Sequence, residues 1–538
     1  MRPEPLRADY VIVGAGSAGC VLAERLSASG ASVLLLEAGP RDRSPLIHIP
    51  AGVASLMGHR LYDWNFATEP VPGADGRVIR LPRGRTLGGT SSINGMNFVR
   101  GMPADFDAWA QAGCKGWGWD DVLPHFKSIE HVGGGIADGA RGHDGPMSVE
   151  PYRSVLPVTH SFVVAARESG FPFLEDINGH PGEGVGYSQM SRRGRFRQST
   201  ASSFLSSARG RSNLRIVTEA FITRLLFDGR RCSGVACWLN GQEVIASANR
   251  EVLLSAGAIG SPHLLQLSGI GPTERLRAAG IDVLADHQGV GRNLSDHFCV
   301  PLTVRVHDTL TINTMKRWPR LGWELLRYVL AGNGALTFGA TTASVFCRSR
   351  PDAADPDLQL LFFPGSFQAV NVREFEHEPG VRISASLARP YSRGEIMVRS
   401  PNPSQPPAIQ PNYLADANDL AVLIAGLRIG RDILSNADMA SRIVSEVAPG
   451  PQAQSDEDLT RHIRATGTTV HHLAGTCAMG ETPQAVVDSR LRLHGFEGLR
   501  VVDASIMPQV TTGNINAPTI MIGAKAAAMI LEDARAAG

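Results

Sequence analysis

The chain has 538 residues, and its 52 Lys plus Arg against 51 Asp plus Glu leave a net charge of +1. That length is too great for one ordinary core and predicts two domains or one large composite unit. The even charge balance excludes the broad basic footprint of a nucleic-acid-binding protein.

The first residues, through Arg7, contain no apolar h-region, and no window approaches eighteen consecutive apolar residues. No transmembrane segment is therefore expected, and the default location is the cytoplasm, with peripheral membrane contact left open. The apolar run Asp9 to Val13 leads into Gly14-Ala15-Gly16-Ser17-Ala18-Gly19 and then a helical run from Cys20 to Ser27. This is strand, G-x-G-x-x-G, helix. Gly14 permits the tight turn, Gly16 lets a pyrophosphate approach the backbone, and Gly19 lets helix pack on strand. The helix start, at Ser17 and Ala18, offers free N–H groups and a positive dipole end. A second strand, Ser32 to Leu36, ends in Glu37, whose carboxylate can accept from both ribose hydroxyls of an adenosine. An adenine dinucleotide is the expected ligand.

Residues 40–80 read as irregular. Gly84 to Met96 is dense in Gly, Ser, Thr and Asn, yet it also carries Leu87, Ile93 and Met96. Such a loop, with Gly88, Asn94 and Gly95 in it, exposes backbone N–H groups to phosphates or to the edge of a heterocycle. Pro103 to Ile129 reads as helix, broken at Gly113–Gly118 and restarted at Trp119. Residues 131–146 read as a glycine-rich, mobile surface loop. Val155 to Ser169 reads as helix, and the basic cluster Arg192 to Arg197 as a solvated loop or a loop near phosphates.

Leu214 to Phe227 and Gly234 to Ile245 predict a hairpin or meander. Glu251 to Ser255 is a short buried strand running through Ala256-Gly257 into a helix from Ser261 to Leu267, a second strand-to-helix turn. Between about 300 and 450 the pattern changes. Ser384 to Ala388 and Glu395 to Val398 read as strands of a mixed or antiparallel sheet, Trp318 to Leu330 and Asp419 to Leu434 as helices, and Pro401 to Pro411 as an extended connector. Trp64, Phe338, Phe362 and Phe363 are read as core rather than pocket. Leu499 to Asp503 and the helix Thr519 to Ala534 return to βα character. The seven cysteines are unevenly spaced, which reads as reduced thiols. His471, His472, Cys477 and His494 match no common ligand spacing, so no metal is expected.

Three long segments, Gly84 to Gly101, Ser255 to Pro272 and Val290 to His297, resemble, in order, the signatures of the glucose–methanol–choline family of flavin oxidoreductases, in its choline-dehydrogenase-like branch. The resemblance implies FAD. It implies that Glu37 holds the ribose, the backbone of Ile222 the adenine, Asn94 to Met96 the flavin ring, and Asp503-Ala504 the ribityl chain. Some members attach FAD through a histidine; the matching position is Ile93, which implies non-covalent FAD. His471-His472-Leu473-Ala474-Gly475-Thr476 resembles the family's His-x-x-Gly-Thr segment, which makes His472 the catalytic base. Asn514, where members carry His or Asn, would hold the substrate oxygen.

The resulting expectation is an α/β (α+β overall) protein. A Rossmann-like FAD domain is built from 1–155, 195–305 and 460–538, and a substrate domain with a mixed or antiparallel sheet flanked by helices from 156–194 and 306–459. The expected function is FAD-dependent oxidation of a primary or secondary alcohol by hydride transfer, with a quinone, dye or oxygen as electron acceptor. An oxygen-using, peroxide-releasing oxidase is the alternative, and a hydroxynitrile-type lyase or a non-catalytic flavin protein the alternatives of another class.

Overall fold

The computed structural model describes residues 6–133, 139–152, 154–369 and 372–537. The strand Leu6–Val13 is buried along its apolar half and lies between Val33–Leu36 and Gln242–Leu254, parallel to both. Leu214–Val217 adds a further parallel strand beyond Val33–Leu36. Gln242–Leu254 does two jobs along its 13 residues. Its first half pairs antiparallel with Arg231–Leu239, which in turn pairs with Phe221–Asp228, and its last residues pair parallel with Leu499–Val501. A parallel sheet needs cover on both faces. The helices Ser17–Ala28 and Asn516–Ala537 supply it on one side, packed against each other and into the same core as the strands.

Glycine decides how closely the first helix can sit. A Cβ on Gly19 would lie 2.0 Å from the Gly14 carbonyl oxygen, and one on Gly14, at φ +98°, 2.5 Å from that of Ser255. Both contacts are with backbone, so no side-chain adjustment relieves them.

The second seven-stranded sheet is antiparallel throughout. Its order is Ile443–Ala448, Phe298–Val306, Gly380–Leu387, Leu358–Phe363, Ala343–Cys347 and Gly184–Tyr187, with Thr468–Thr469 also on Phe298–Val306. Strand alternation gives it two unlike faces. Val300, Leu302, Ile383, Ala385, Leu360 and Phe362 pack into an apolar core with the helices Pro157–Glu168 and Ala417–Leu434. Cys299, Leu361, Phe363, Arg382 and Ser384 face the other way, into a cavity.

Several elements differ from the sequence expectation. The strand expected at Glu251 is the end of one long strand, because both halves find ladder partners. The boundary expected at 305 falls inside Phe298–Val306, a strand of the second sheet. Residues 134–138 of the expected surface loop lie outside the described residues, and within its later part Arg141 and Gly142 are buried while Gly139, His143 and Asp144 are exposed. Arg141 is fully buried, bonded to Glu130 Oε1 at 2.9 Å and Asp176 Oδ2 at 2.6 Å, with Arg100 on the same glutamate. Arg192 and Arg197 are buried rather than solvated. Ion pairing to Glu150 holds Arg192, and carbonyl oxygens hold Arg197.

Candidate active site

A cavity of about 910 Å³ runs between the two sheets. Gly14, Gly16, Ser17, Ala18 and Glu37 line one end, with Ile222 nearby. Gly16 faces open space: a Cβ there would meet only the Ser255 carbonyl oxygen, at 3.9 Å. Three helices start on the cavity, at Ser17, Gly257 and Asn516, so three sets of free N–H groups and three positive dipole ends converge on it. Glu37 Oε2 accepts from the Ala15 N–H at 3.0 Å and Oε1 from the Gly39 N–H at 2.8 Å. Each oxygen keeps a lone pair for a further donor. Burial raises the Glu37 carboxyl to about 7, against the pull of those two N–H groups. This donor and acceptor set fits an extended dinucleotide.

Asn94, Gly95 and Met96 line the middle of the cavity. Asn94 Oδ1 accepts from the Met96 N–H at 3.0 Å and from Arg197 Nη1 at 3.0 Å, which fixes the loop over the guanidinium. Burial without an anionic partner lowers Arg197 to about 9. Asp503 and Ala504 also line this stretch, and Asp503 is held by the Gly257 N–H at 2.9 Å and the Ser261 hydroxyl at 2.5 Å. Gly19 and Gly88 do not line the cavity. Gly19 serves helix packing, and Gly88 donates its N–H to the Ala15 carbonyl at 2.8 Å, clamping the loop to the glycine turn.

His472 and Asn514 meet at the far end. Asn514 Nδ2 lies 3.1 Å from His472 Nε2, and Asn514 Oδ1 is buried without a hydrogen-bond partner. On its other side, His472 Nδ1 is 2.9 Å from Nδ1 of His297, whose Nε2 is 3.1 Å from the Ala388 carbonyl. These contacts determine the tautomers. A carbonyl only accepts, so His297 carries its proton on Nε2. Burial lowers His297 to about 4, so at neutral pH its Nδ1 is a bare acceptor. His472 must then donate from Nδ1, and its Nε2 is left as a lone pair facing Asn514. Burial, with His297, His471 and Arg83 adding to it, holds His472 well below the usual histidine range.

Asp296 carries this geometry. Its Oδ1 accepts the backbone N–H of His472 at 2.7 Å and of His297 at 2.9 Å; its Oδ2 accepts from Thr469 at 2.5 Å and from the Tyr413 hydroxyl. One buried carboxylate thus ties together segments 175 residues apart. Asp296 and His297 stand at the end of the segment Val290 to His297, but nothing in the spacing says that they reach His472. The pairing of Thr468–Thr469 with Phe298–Cys299 on one side and the Ser295–Ala474 bridge on the other bring them together. Trp64 and Phe363, read as core, line the cavity, Trp64 with Arg85 over its ring at 4.9 Å; Phe338 and Phe362 are core. Among the described residues no group of His, Cys, Asp and Glu could hold a metal.

The family model for GMC oxidoreductase matches residues 8–299 in its N-terminal part and 390–523 in its C-terminal part. The chain belongs to the GMC oxidoreductase family. It is 41% identical to an alcohol dehydrogenase [acceptor] of Pseudomonas putida over 97% of this chain and 95% of the relative. It is 39% identical to an oxygen-dependent choline dehydrogenase of Brucella suis over 98% and 96%. Among solved structures it is similar to a pyridoxine 4-oxidase of Mesorbium loti (TM-score 0.89, 32% identity, 98% of this chain and 99% of that one). A formate oxidase of Aspergillus oryzae superposes with TM-score 0.92 at 28% identity, covering 98% of each chain. The protein is an FAD-dependent enzyme that oxidises alcohols. None of its described helices is long and apolar enough to cross a membrane.

Proposed function

We propose that the enzyme oxidises an uncharged or anionic alcohol and passes the electrons to an acceptor other than oxygen, with His472 as the base. The observation that carries the base assignment is the unprotonated Nε2 of His472, set by the bonds through His297 to Ala388 and turned toward Asn514. FAD, when bound, supplies the hydride acceptor. A substrate hydroxyl placed between the two side chains donates to His472 Nε2 and accepts from Asn514 Nδ2. The Nε2 lone pair takes the hydroxyl proton while the carbon loses its hydride. Asn514 holds the oxygen but has no proton to exchange. Glu37 and the glycine turn would hold the adenosine and pyrophosphate, Ile222 the adenine, Asn94 to Met96 the flavin edge and Asp503-Ala504 the ribityl chain. At the position of Ile93, a buried aliphatic side chain offers no atom for covalent attachment.

The substrate class rests on charge. Among the described residues, Glu37 and Asp503 are the only carboxylates lining the cavity, and both are engaged by backbone N–H groups around the proposed cofactor site. The cationic lining residues are Arg83, Arg85 and Arg382. A quaternary ammonium therefore finds cations and no counter-ion, at a cost in a cavity of low dielectric. The Pseudomonas relative's name carries an acceptor and the Brucella relative's carries oxygen, so the acceptor needs its own measurement. Anaerobic stopped-flow reduction with primary alcohols, hydroxy acids and choline tests the substrate class. Flavin bleaching by choline faster than by any neutral or anionic alcohol would overturn it. Rapid air reoxidation with stoichiometric peroxide would make the enzyme an oxidase.

A further inference from the structure

The helix Arg320–Ala331 is built inside out. Its inward face carries Glu324, fully buried, which accepts from the Ala335 N–H at 3.0 Å and pairs with Arg327 at 3.3 Å and Arg320 at 3.8 Å; Tyr328 packs beside it. Its apolar residues point to solvent. Trp323, Leu326 and Leu330 follow i, i+3, i+7, and Leu325 and Val329 lie alongside. With Trp318 just before the helix, these six side chains are between 43% and 78% exposed. A surface helix of a soluble domain turns its apolar stripe inward. Here a buried carboxylate, Glu324, has been accepted on the inner face while the apolar stripe stays exposed to solvent, which calls for an outside occupant.

Charge identifies that occupant. Lys316, Arg317 and Arg320 flank Trp318 in sequence at the N-terminal end, Lys316 over the Phe375 ring and Arg317 on the His377 carbonyl, and Arg195 donates to the Tyr328 and Val329 carbonyls at the C-terminal end. Glu324 is the only acidic residue from 312 to 334, and it is inside. An apolar face with two tryptophans, cations at both ends and no exposed acid on the helix itself matches an anionic lipid surface: rings and aliphatic groups enter the headgroup boundary while the cations, in excess over the exposed Glu374 and Glu378 beside Lys316 and Arg317, meet the headgroup charge. A second copy of the chain fits less well, because a two-fold contact on this patch gathers the basic clusters of both copies into one interface. We propose that this enzyme docks on anionic lipid through the outer face of Arg320–Ala331 and Trp318. The segment that follows the helix ends in Ala340 and Thr341, which line the cavity, so the docked face lies within one short segment of the cavity wall.

The test is co-sedimentation of the FAD-loaded enzyme with vesicles of phosphatidylcholine alone and with roughly one-third phosphatidylglycerol. Binding is expected only to the anionic vesicles, with a blue shift of tryptophan emission and loss at high salt. Trp318→Ser/Trp323→Ser/Leu330→Ser should weaken it about tenfold or more. Lys316→Glu/Arg317→Glu should do the same, while both variants keep the flavin absorbance and the turnover with a soluble dye. Equal binding to neutral and anionic vesicles overturns the proposal, as does unchanged binding by both variants. No vesicle binding, together with a dimer in sedimentation that the serine variant abolishes, also overturns it and makes a second copy the occupant.

Discussion

The two seven-stranded sheets divide the work differently. The parallel-centred sheet acts through its backbone: a glycine turn, helix N-termini and closely approaching strands. The antiparallel sheet acts through side chains on one face, Arg382, Ser384, Phe363 and Cys299, while its other face is plain apolar core. Backbone devices need particular residues at fixed intervals, because only glycine fits where a Cβ meets a carbonyl. A polar strand face needs only alternation, which many residues satisfy. The first sheet is therefore tightly specified, and the second is free to change substrate.

The largest effect expected from this difference is at Gly19. Gly19→Val places side-chain atoms on the Gly14 carbonyl, which a Cβ would approach to 2.0 Å, and the helix must move off the strand. The purified variant should be largely colourless, with a lowered melting temperature. Arg382→Leu is the counterpart in the second sheet. It should retain full flavin absorbance and change only the ranking of alcohols, with KM for anionic substrates raised. An Arg382→Leu enzyme that loses flavin would break the division.

Next in size is the base. His472→Ala should bind FAD and slow anaerobic flavin reduction by ~10²–10⁴-fold, the usual worth of a general base. His471→Ala should be far milder. Reversal of that order in stopped-flow traces would move the base to His471. In the wild type the base must be neutral to accept a proton, and its environment lowers its affinity for protons. The reductive rate should therefore fall only at acid pH, with its inflection below the ordinary 6.5 of histidine.

The legibility of the chain follows the same line. The glycine turn, Glu37, the signature loops, His472 and Asn514 stand out in sequence because each sits in a run whose residue types are constrained together. The relay behind the base does not. Asp296 and His297 close the signature segment Val290 to His297, Tyr413 and Ala388 come from elsewhere, and it is strand pairing, not spacing, that brings them to His472. Likewise the burial of Arg192 and Arg197 does not show in a cluster that reads as a solvated loop or a loop near phosphates, because their acceptors are carbonyls of Ile47 and Asn94 and the carboxylate of Glu150, all distant in sequence.

A smaller effect is expected at His297, which touches no substrate in this reading and acts by holding a tautomer. His297→Phe keeps a ring of similar size but removes the acceptor from His472 Nδ1. His472 can then place its proton on either nitrogen, and only one form presents a lone pair to the substrate. Reduction should slow by about 10–100-fold, the range seen when an orienting partner of a functional histidine is lost. FAD content and KM should change little. A variant with the wild-type rate would mean that Asn514 alone sets the tautomer.

The smallest effect concerns the cofactor end and sharpens the claim that this end is backbone-built with a single decisive side chain. Burial raises Glu37 to about 7. Ribose hydroxyls donate to the ionised form and favour it, so FAD binding below about pH 7 must expel a proton. The sign follows directly: affinity is pH-independent well above 7 and weakens as pH falls through 7, where the free protein is protonated and the complex is not. Between pH 8 and pH 6 the dissociation constant should rise by roughly tenfold, the limit for one linked proton over one unit below the pKa. Titrating the apoprotein with FAD and following flavin fluorescence at both pH values measures it. Glu37→Gln should bind more weakly at pH 8 and lose the dependence. If the glutamine variant keeps the same pH slope, the linked proton belongs elsewhere, and the carboxylate is a structural acceptor for the Ala15 and Gly39 N–H groups rather than the ribose ligand.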